Sequence, residues 1–252
     1  MSLLSARGVT KRFGDIVALE GLDLEVADGE FVVLVGASGC GKSTLLNLFA
    51  GFERPSEGSV ALRGENIEGI NPRCGMVFQN YALFPWLTVR GNIGFGPRLR
   101  GVEDAARVEA LIKTVGIEGF GDHYPTQLSG GMKQRVALAR TLANDPEVLL
   151  CDEPFAALDA MTRTVLQEEL ARIAREEGKT VLFITHSIDE ALLLGDRIVV
   201  MTARPGRVKQ ELANDLPRPR TADLELTPRY LELKSEIWES VRQEVIACGR
   251  EG

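Results

Sequence analysis

The stretch that decides the fold is Phe31-Val32-Val33-Leu34-Val35-Gly36-Ala37-Ser38-Gly39-Cys40-Gly41-Lys42-Ser43-Thr44. It starts with a continuous apolar run, which is typical of a strand buried on both faces. It continues with a loop that matches the pattern Gly-x4-Gly-Lys-Ser/Thr, and an apolar-periodic helix follows. Such a match arises by chance in roughly one chain of this length in a hundred. Strand, glycine-rich turn and helix therefore predict an α/β core.

This glycine-rich loop has the chemistry of a phosphate cradle. Glycines let backbone N–H groups turn inward around phosphate oxygens, and the helix N-terminus adds partial positive charge. We predict that Lys42 reaches the terminal phosphates and that Ser43 is a ligand of Mg²⁺. A glycine-rich turn before an ordinary helix would not explain why Lys and Ser follow at once. The predicted nucleotide contacts are Gly36, Ala37, Ser38, Gly39, Cys40, Gly41, Lys42, Ser43 and Thr44.

Composition excludes several classes of protein. The chain has 252 residues, of which 44% are apolar and 26% charged, as in soluble globular domains. Its net charge of −7 argues against nucleic acid as a partner. The longest uncharged stretch, residues 74–89, has 16 residues, contains Pro85 and is too short to cross a bilayer, and the N-terminus lacks the apolar core of a signal peptide. The four cysteines lack metal-ligand spacing, which favours a reduced cytoplasmic setting: Cys40, Cys74, Cys151 and Cys248.

Further buried strands are predicted at 147–151, 180–185 and 197–201, alternating with helical patterns such as 162–176. This alternation indicates a mostly parallel sheet. Segments 3–9 and 18–26 are predicted to form an antiparallel edge sheet.

A different pattern fills residues 81–144, where helices are predicted at 102–115 and 131–142 and no strand is evident. We interpret this region as a helical subdomain inserted into a nucleotide-binding domain spanning 1–215. Residues 216–252 are predicted to be a stiff linker, Pro217-Arg218-Pro219-Arg220, and an amphipathic helix. Packing of that helix on the body is favoured over binding of a partner. Its apolar residues are Tyr230, Leu233, Ile237, Trp238, Val241 and Val245.

Two acids, Asp152 and Glu153, end the strand at 147–151. By itself such a pair is usually a solvated strand end. Together with the glycine-rich loop it indicates hydrolysis of a nucleoside triphosphate. Asp152 is then predicted to hold the water shell of Mg²⁺, and Glu153 to polarise the attacking water.

A third motif narrows the class: Leu128-Ser129-Gly130-Gly131-Met132-Lys133-Gln134-Arg135. A Ser cap with a glycine entry is common in helices. With the two preceding motifs, however, the chain resembles the ATP-binding cassette (ABC) family of transport ATPases, and the resemblance covers about residues 3–211. It implies the P-loop fold of an ABC ATPase, with ATP and Mg²⁺ as cofactors. It also implies a head-to-tail homodimer, in which Ser129, Gly130 and Gly131 close over the nucleotide bound by Lys42 of the other copy.

The same resemblance implies further roles. Glu153 is the general base, and Lys42, Gln79 and His186 are the other catalytic residues. Ser43, Gln79 and Asp152 are the Mg²⁺ ligands. Phe13 stands where an aromatic stacks on adenine, and Ala157-Leu158-Asp159 is similar to a loop that joins the two halves of the dimer.

Other residues carry simpler expectations. His123 is predicted at the surface, and Cys151 acts as a small hydrophobe. Alkylation of Cys40 is expected to block ATP.

Two further segments are similar to the nitrate, sulfonate and taurine importer branch of the family: 84–89 and 203–207. This similarity implies a subunit at the cytoplasmic face of the membrane that drives a separate permease and serves, indirectly, a periplasmic or extracellular solute-binding protein. Phe84, Pro85 and Trp86 then form either a small core or a docking surface for the permease. An importer of another solute, or a soluble ABC ATPase of DNA repair or translation, remains the alternative. The latter usually has long coiled-coil insertions or paired cassettes, and neither is evident in this sequence.

Overall fold

The computed structural model describes residues 2–248, and the helices and strands follow in chain order. Residues 2–71 contain β1 (Ser2–Phe13), β2 (Ile16–Ala27), β3 (Phe31–Val35), α1 (Lys42–Ala50), β4 (Glu57–Leu62) and β5 (Glu65–Asn66). Residues 72–177 contain β6 (Cys74–Val77), α2 (Val89–Ile93), α3 (Phe95–Leu99), α4 (Ala105–Thr114), a 3₁₀ turn (Pro125–Gln127), α5 (Gly130–Leu142), β7 (Val148–Asp152) and α6 (Ala160–Glu176). The remainder contains β8 (Thr180–Ile184), α7 (Ile188–Leu194), β9 (Arg197–Met201), β10 (Val208–Ala213), a 3₁₀ turn (Ala222–Leu226) and α8 (Pro228–Cys248).

The chain folds as two compact units. The first unit comprises the residues up to Asn71 and those from Gly178 onward, and the second unit is Pro72–Glu177.

Parallel strands form the core of the first unit. β3 lies between β8 and β9 and is parallel to both, with Leu34 opposite Ile184 on one side and Val199 on the other. All five residues of β3 and of β8 are buried, because side chains on both faces of these strands are covered. β10 extends this sheet antiparallel to β9. The predicted α/β class with a mostly parallel sheet is confirmed.

A separate antiparallel sheet completes the first unit, with strand order β2-β1-β4-β5. β1 and β2 pair antiparallel, as predicted from their sequences, although both strands are longer than expected. In β2 the buried Leu22, Leu24 and Val26 alternate with exposed residues, which gives this strand one apolar face. The sequence analysis missed β4, β5 and β10, because these strands are short or carry exposed polar residues.

The second unit contains two parallel strands and most of the helices. β6 and β7 pair with Val77 opposite Cys151. Residues 81–144, all of which the structure describes, form helices and no strand, as the sequence predicts. The predicted helix at 102–115 starts later, because Asp104 caps α4 by accepting a hydrogen bond from the N–H of Arg107. Helices α2 and α3 were not predicted, since each spans five residues.

The C-terminal helix α8 packs on the first unit. Tyr230, Leu233 and Ile237 are buried, and the Tyr230 hydroxyl donates to Asp189 of α7 at 2.7 Å. The predicted packing on the body is therefore confirmed for these three residues. It is wrong for Trp238 and Val245, which are 58% and 53% exposed, because they lie on a different face of the helix.

Among residues 2–248, none of the helices has the length and apolarity that a bilayer crossing requires. Nor does that part of the chain bring three or more His, Cys, Asp or Glu side chains together as a metal site.

Candidate functional site

The glycine-rich loop joins β3 to α1 in the first unit. Gly41 is the N-cap of α1, with a φ of 96°, and no side chain caps the helix. A Cβ at Gly41 would lie 2.6 Å from Leu19 Cδ2, so a side chain is excluded there. The first N–H groups of α1 are therefore available to an anion rather than to a capping side chain. Ser38, Gly39 and Ser43 are exposed, so the loop is open to a ligand.

The side chain of Lys42 is buried in this loop and binds its backbone. Only 6% of the residue is exposed, and its Nζ donates to the carbonyl oxygens of Gly36 (2.9 Å) and Ala37 (3.0 Å). The ammonium is thus held at the loop by weak neutral acceptors. A phosphate group can replace them with charge-assisted hydrogen bonds, which are about twice as strong.

Cys40 points into the loop and is only 1% exposed, with its Sγ 3.4 Å from the Nζ of Lys42. That alkylation of Cys40 blocks ATP stays a prediction; because the thiol is buried, labelling requires the loop to open. Cys151 is fully buried on β7, as expected of a small hydrophobe, and burial raises the pKa of its thiol.

His186 leaves the sheet at the same edge as the glycine-rich loop. β3 and β8 are parallel and level, so the residues after Val35 and Ile184 emerge side by side. His186 is exposed, while its neighbour Thr185 is buried and its Oγ1 accepts from the N–H of Ser187 at 2.9 Å. The imidazole therefore stands on a fixed turn beside the loop.

Phe13 ends β1 in the first unit and is 45% exposed. The Nζ of Lys11 lies 4.8 Å from the centre of its ring, as in a cation–π contact. Sequence reasoning missed Lys11, which also pairs with Glu53 at 2.7 Å. The ring is thus held in place and partly open to a stacking base.

In the second unit, Gln79, Asp152 and Glu153 meet at one sheet edge. Val77 of β6 is paired with Cys151 of β7; Gln79 lies two residues after Val77, and Asp152 and Glu153 are the two residues after Cys151. Gln79 is exposed, and the two acids are half-buried. Oxygen donors of this kind are the ligands that Mg²⁺ prefers, so Gln79 and Asp152 fit the ion chemically, as does the hydroxyl of Ser43 on the first unit.

Glu153 has a strained backbone. Its φ of 44° lies in the left-handed region, which is uncommon for residues other than glycine. Such strain persists where the surrounding structure imposes it, and it clusters at functional sites.

Ser129 caps α5, and its Oγ accepts from the N–H of Met132 at 3.3 Å. Ser129 is exposed and half-exposed Gly130 follows it. Gly131 is buried against α6, where an added Cβ would lie 2.5 Å from Thr162 Cγ2. One glycine of the motif therefore faces outward and the next permits helix packing.

Arg140, near the end of α5, is a residue that sequence reasoning missed. Its guanidinium donates to the backbone carbonyls of Tyr81 (3.0 Å) and Ala82. Both of these residues have positive φ, at 53° and 49°. The helix that starts at Ser129 therefore fixes the segment that follows Gln79. No sequence signal marks this contact, since positive φ at Tyr and Ala is not visible in a pattern.

His123 was predicted at the surface but is half-buried. Its ring lies 5.1 Å from that of Phe120, and its Nδ1 is buried with no hydrogen-bond partner among residues 2–248.

The predicted site residues are thus divided between the units. The glycine-rich loop, Phe13 and His186 belong to the first, and Gln79, Ser129 and the two acids to the second.

Comparison with known proteins gives a consistent result. The family model described as ABC transporter matches residues 19–156. An uncharacterised ABC transporter ATP-binding protein of Methanocaldococcus jannaschii is 50% identical over 250 residues, which cover 96% of this chain and 92% of the relative. The taurine import ATP-binding protein TauB of a Jannaschia species is 44% identical, covering 94% of this chain and 93% of the relative. The bicarbonate transport ATP-binding protein CmpC of Synechococcus elongatus is 52% identical over 88% of this chain but only 35% of its own length.

Solved structures agree. A dimeric post-hydrolysis state of the ATP-binding cassette MJ0796, bound to ADP and Pi, superposes with a TM-score of 0.75 at 35% identity. The match covers 85% of this chain and all of that one.

Proposed function

Because this chain belongs to the ABC transporter family and is an ATPase of that family, we propose that it is the ATP-hydrolysing subunit of an importer. In this proposal ATP binding and hydrolysis drive a separate permease, and the subunit lies at the cytoplasmic face of the membrane. The relatives named for taurine import and bicarbonate transport support an importer.

The proposed ATP site is composite. Lys42 and the glycine-rich loop of one copy hold the phosphates, and Ser129, Gly130 and Gly131 of a second copy close over them head to tail. Two observations support this arrangement. Each motif places a helix N-terminus at an accessible surface, and the solved relative bound to ADP and Pi is a dimer.

Within this site Glu153 would accept the proton of the attacking water, a role typically worth 10²–10⁴-fold in rate. Lys42, Ser129 and His186 would stabilise the charge that develops on the transferred phosphoryl group. Phe13 would stack on adenine, in a contact worth about 1–3 kcal/mol by analogy with other base-stacking platforms.

The chemistry that bound Mg²⁺ supplies is neutralisation of phosphate charge. Ser43, Gln79 and Asp152 would hold the ion through oxygen atoms, and the neighbouring positions of the last two support this set.

The observation that carries the transport function is a cavity of about 480 Å³ in the second unit, at whose edge Trp86 is 68% exposed. Phe84 lies behind Trp86, packed 4.4 Å from Phe95 between ring centres. Phe84 thus belongs to a small aromatic core, which was one interpretation of this segment. Trp86 lies outside that core, which favours the other interpretation, a docking surface. An indole presented beside an open groove favours docking of a permease helix.

The solute proposed is a small oxyanion such as nitrate, a sulfonate or taurine, delivered by a solute-binding protein outside the membrane. One relative is named for import of taurine, which carries a sulfonate group, and another for transport of bicarbonate, and both of these solutes carry an oxyanion group. A soluble ABC ATPase without a permease is the alternative.

Co-purification with the permease encoded nearest to this chain tests the proposal. We expect Trp86→Glu to abolish co-purification and to leave the ATPase rate of the isolated chain unchanged, since the indole is exposed. Trp238→Glu is the matched control, because it introduces the same change at the other tryptophan, on α8. Recovery of the wild-type chain without any permease would favour the soluble alternative, and equal recovery with Trp86→Glu would exclude this docking surface.

A further inference from the structure

The end of the C-terminal helix is tied to a turn that follows β9. The carboxylate of Glu244 on α8 accepts a hydrogen bond from the backbone N–H of Ala203 at 2.9 Å. Its other oxygen lies 2.7 Å from the Nζ of Lys209. Burial by itself would raise the pKa of Glu244, but Lys209 and the Ala203 N–H outweigh it, so that the pKa is lowered. Glu244 is therefore ionised at neutral pH.

Lys209 holds the same part of α8 from the side of β10. Its Nζ also donates to the backbone carbonyl of Ser240 at 2.9 Å and to the side chain of Gln243 at 3.0 Å. The contact between Glu244 and Ala203 is therefore part of a polar network, which limits the movement of this helix turn.

The turn at residues 202–207 is closed on itself. The Oγ1 of Thr202 donates to the carbonyl of Pro205 at 2.8 Å and accepts from the N–H of Arg207 at 2.9 Å. The N–H of Thr202 donates to the carbonyl of Arg207, also at 2.9 Å. These hydrogen bonds fix residues 202–207 relative to one another, so a restraint on Ala203 restrains the whole turn.

This turn lies against the outer side of the glycine-rich loop. The guanidinium of Arg204 donates to the carbonyl of Gly39 at 3.4 Å. Gly206 packs so closely that a Cβ there would lie 2.0 Å from the carbonyl oxygen of Cys40. Among the residues that the structure describes, Arg204 has no carboxylate partner, so its charge remains at the loop.

We propose that Glu244 is a positioning residue for ATP binding: through Ala203, the end of α8 fixes the 202–207 turn and thereby the backbone of the glycine-rich loop. The loop must present its N–H groups to the phosphates in one arrangement, so restraint of the loop before binding lowers the cost of ordering it. The proposal rests on ATP binding at this loop, and it depends neither on the permease nor on the solute.

The test is ATP affinity and steady-state hydrolysis with the purified full chain. We expect Glu244→Ala to raise the dissociation constant and KM for ATP about three- to tenfold, with kcat changed less than about twofold, the size of effect that loss of one net hydrogen bond has. Glu244→Gln keeps an acceptor for the Ala203 N–H and is expected to restore most of the affinity. Glu236→Ala is the matched control, because this α8 carboxylate binds Gln210 and not the turn.

A double variant identifies the route. If Glu244 acts through the turn, Arg204→Ala and Glu244→Ala combine less than additively in ATP affinity. Wild-type affinity in folded Glu244→Ala would overturn the proposal, as would an equal loss in Glu236→Ala. If Glu244→Ala does not fold, the ATP affinity of Arg204→Ala is measured instead, because this variant breaks the contact between the turn and the loop. Wild-type affinity in that variant would then overturn the proposal. Failure of the wild-type chain to bind ATP would instead contradict the nucleotide site itself.

Discussion

Two helix N-termini in this chain carry glycine motifs that are predicted to bind phosphate, and they are constructed differently. The N-terminus of α1 has a glycine N-cap with a φ of 96°, no side-chain cap and a buried lysine that binds its own loop. The N-terminus of α5 is capped by the exposed Ser129, which binds the N–H of Met132. The first is a cradle that contains its own cation, whereas the second offers an exposed hydroxyl and amides.

This difference indicates a division of labour. A cradle with an internal cation can bind a triphosphate within one chain, since positive charge and free N–H groups are in one place. An exposed serine cap with no internal cation suits a nucleotide that another chain already holds. The difference between the two N-termini therefore favours a site shared between two copies.

Replacement of the proposed base is expected to slow ATP hydrolysis by several orders of magnitude. Glu153→Gln preserves shape but removes the carboxylate that would accept a proton, so we expect hydrolysis to fall 10²–10⁴-fold while ATP binding persists. In the proposed dimer, hydrolysis of ATP lets the two copies separate. Because the variant hydrolyses ATP very slowly, it is expected to accumulate as an ATP-bound dimer. Size-exclusion chromatography with and without ATP measures this accumulation. Hydrolysis at the wild-type rate would contradict the role of Glu153.

Mixing two inactive variants tests the sharing of the site directly. Lys42→Ala removes the cation of the cradle, and Ser129→Arg places bulk on the exposed cap. We expect each variant by itself to lose at least about a hundredfold in ATPase rate. In a head-to-tail dimer, each site takes Lys42 from one copy and Ser129 from the other. A mixed dimer with one copy of each variant therefore has one site with both substitutions and one site with neither. A 1:1 mixture that exchanges subunits is therefore expected to recover about a quarter of the wild-type rate, since half of the pairs are mixed.

The control for this experiment is the mixture of each variant with itself, which is expected to stay inactive. An inactive mixed sample, after mass spectrometry has confirmed subunit exchange, would show that each chain completes its own site.

The glycines of the α5 cap give the next effect, which concerns stability. Gly131→Ala places a Cβ 2.5 Å from Thr162 Cγ2, and such overpacking costs about 1–3 kcal/mol in the free energy of unfolding. Thr162→Ser removes that methyl group and is expected to restore stability. Gly130→Ala is the matched control, because its Cβ would lie 3.2 Å from the nearest atom, the Tyr81 hydroxyl. Equal melting temperatures for both alanine variants would show that Gly131 is not needed for packing.

The two N-termini also show which features of the structure can be predicted from the sequence. The strand Phe31–Val35 was predicted with its observed bounds, because a run buried on both faces has an unambiguous pattern. The start of α5 was predicted within one residue, because a Ser cap precedes it. What could not be predicted depends on tertiary contacts: the inward turn of Cys40, the contact of Arg140 with the segment after Gln79, and the exposure of Trp238. Short elements such as α2 and β5 are stabilised by neighbours rather than by their own periodicity.

A third helix N-terminus, that of α6, differs from both of these, because an acidic side chain caps it. Asp159 caps it by accepting from the N–H of Thr162 at 3.0 Å, and this hydrogen bond lowers the pKa of the carboxyl below its ordinary value of 3.8. Here the protein supplies its own anion, so no ligand is expected at this end. Because the pKa of Asp159 is lower in the folded than in the unfolded state, its stabilisation of the fold is complete above the unfolded-state pKa and disappears as the pH falls through the folded-state pKa.

We therefore expect Asp159→Ala to lower the melting temperature slightly at pH 7, and the difference from wild type to shrink below pH 3.8. Asp159→Asn still caps the helix and does not titrate, so its difference from Asp159→Ala is expected to remain nearly constant with pH. A wild-type advantage over Asp159→Ala that stays constant down to low pH would show that the charge of Asp159 does not contribute to the cap.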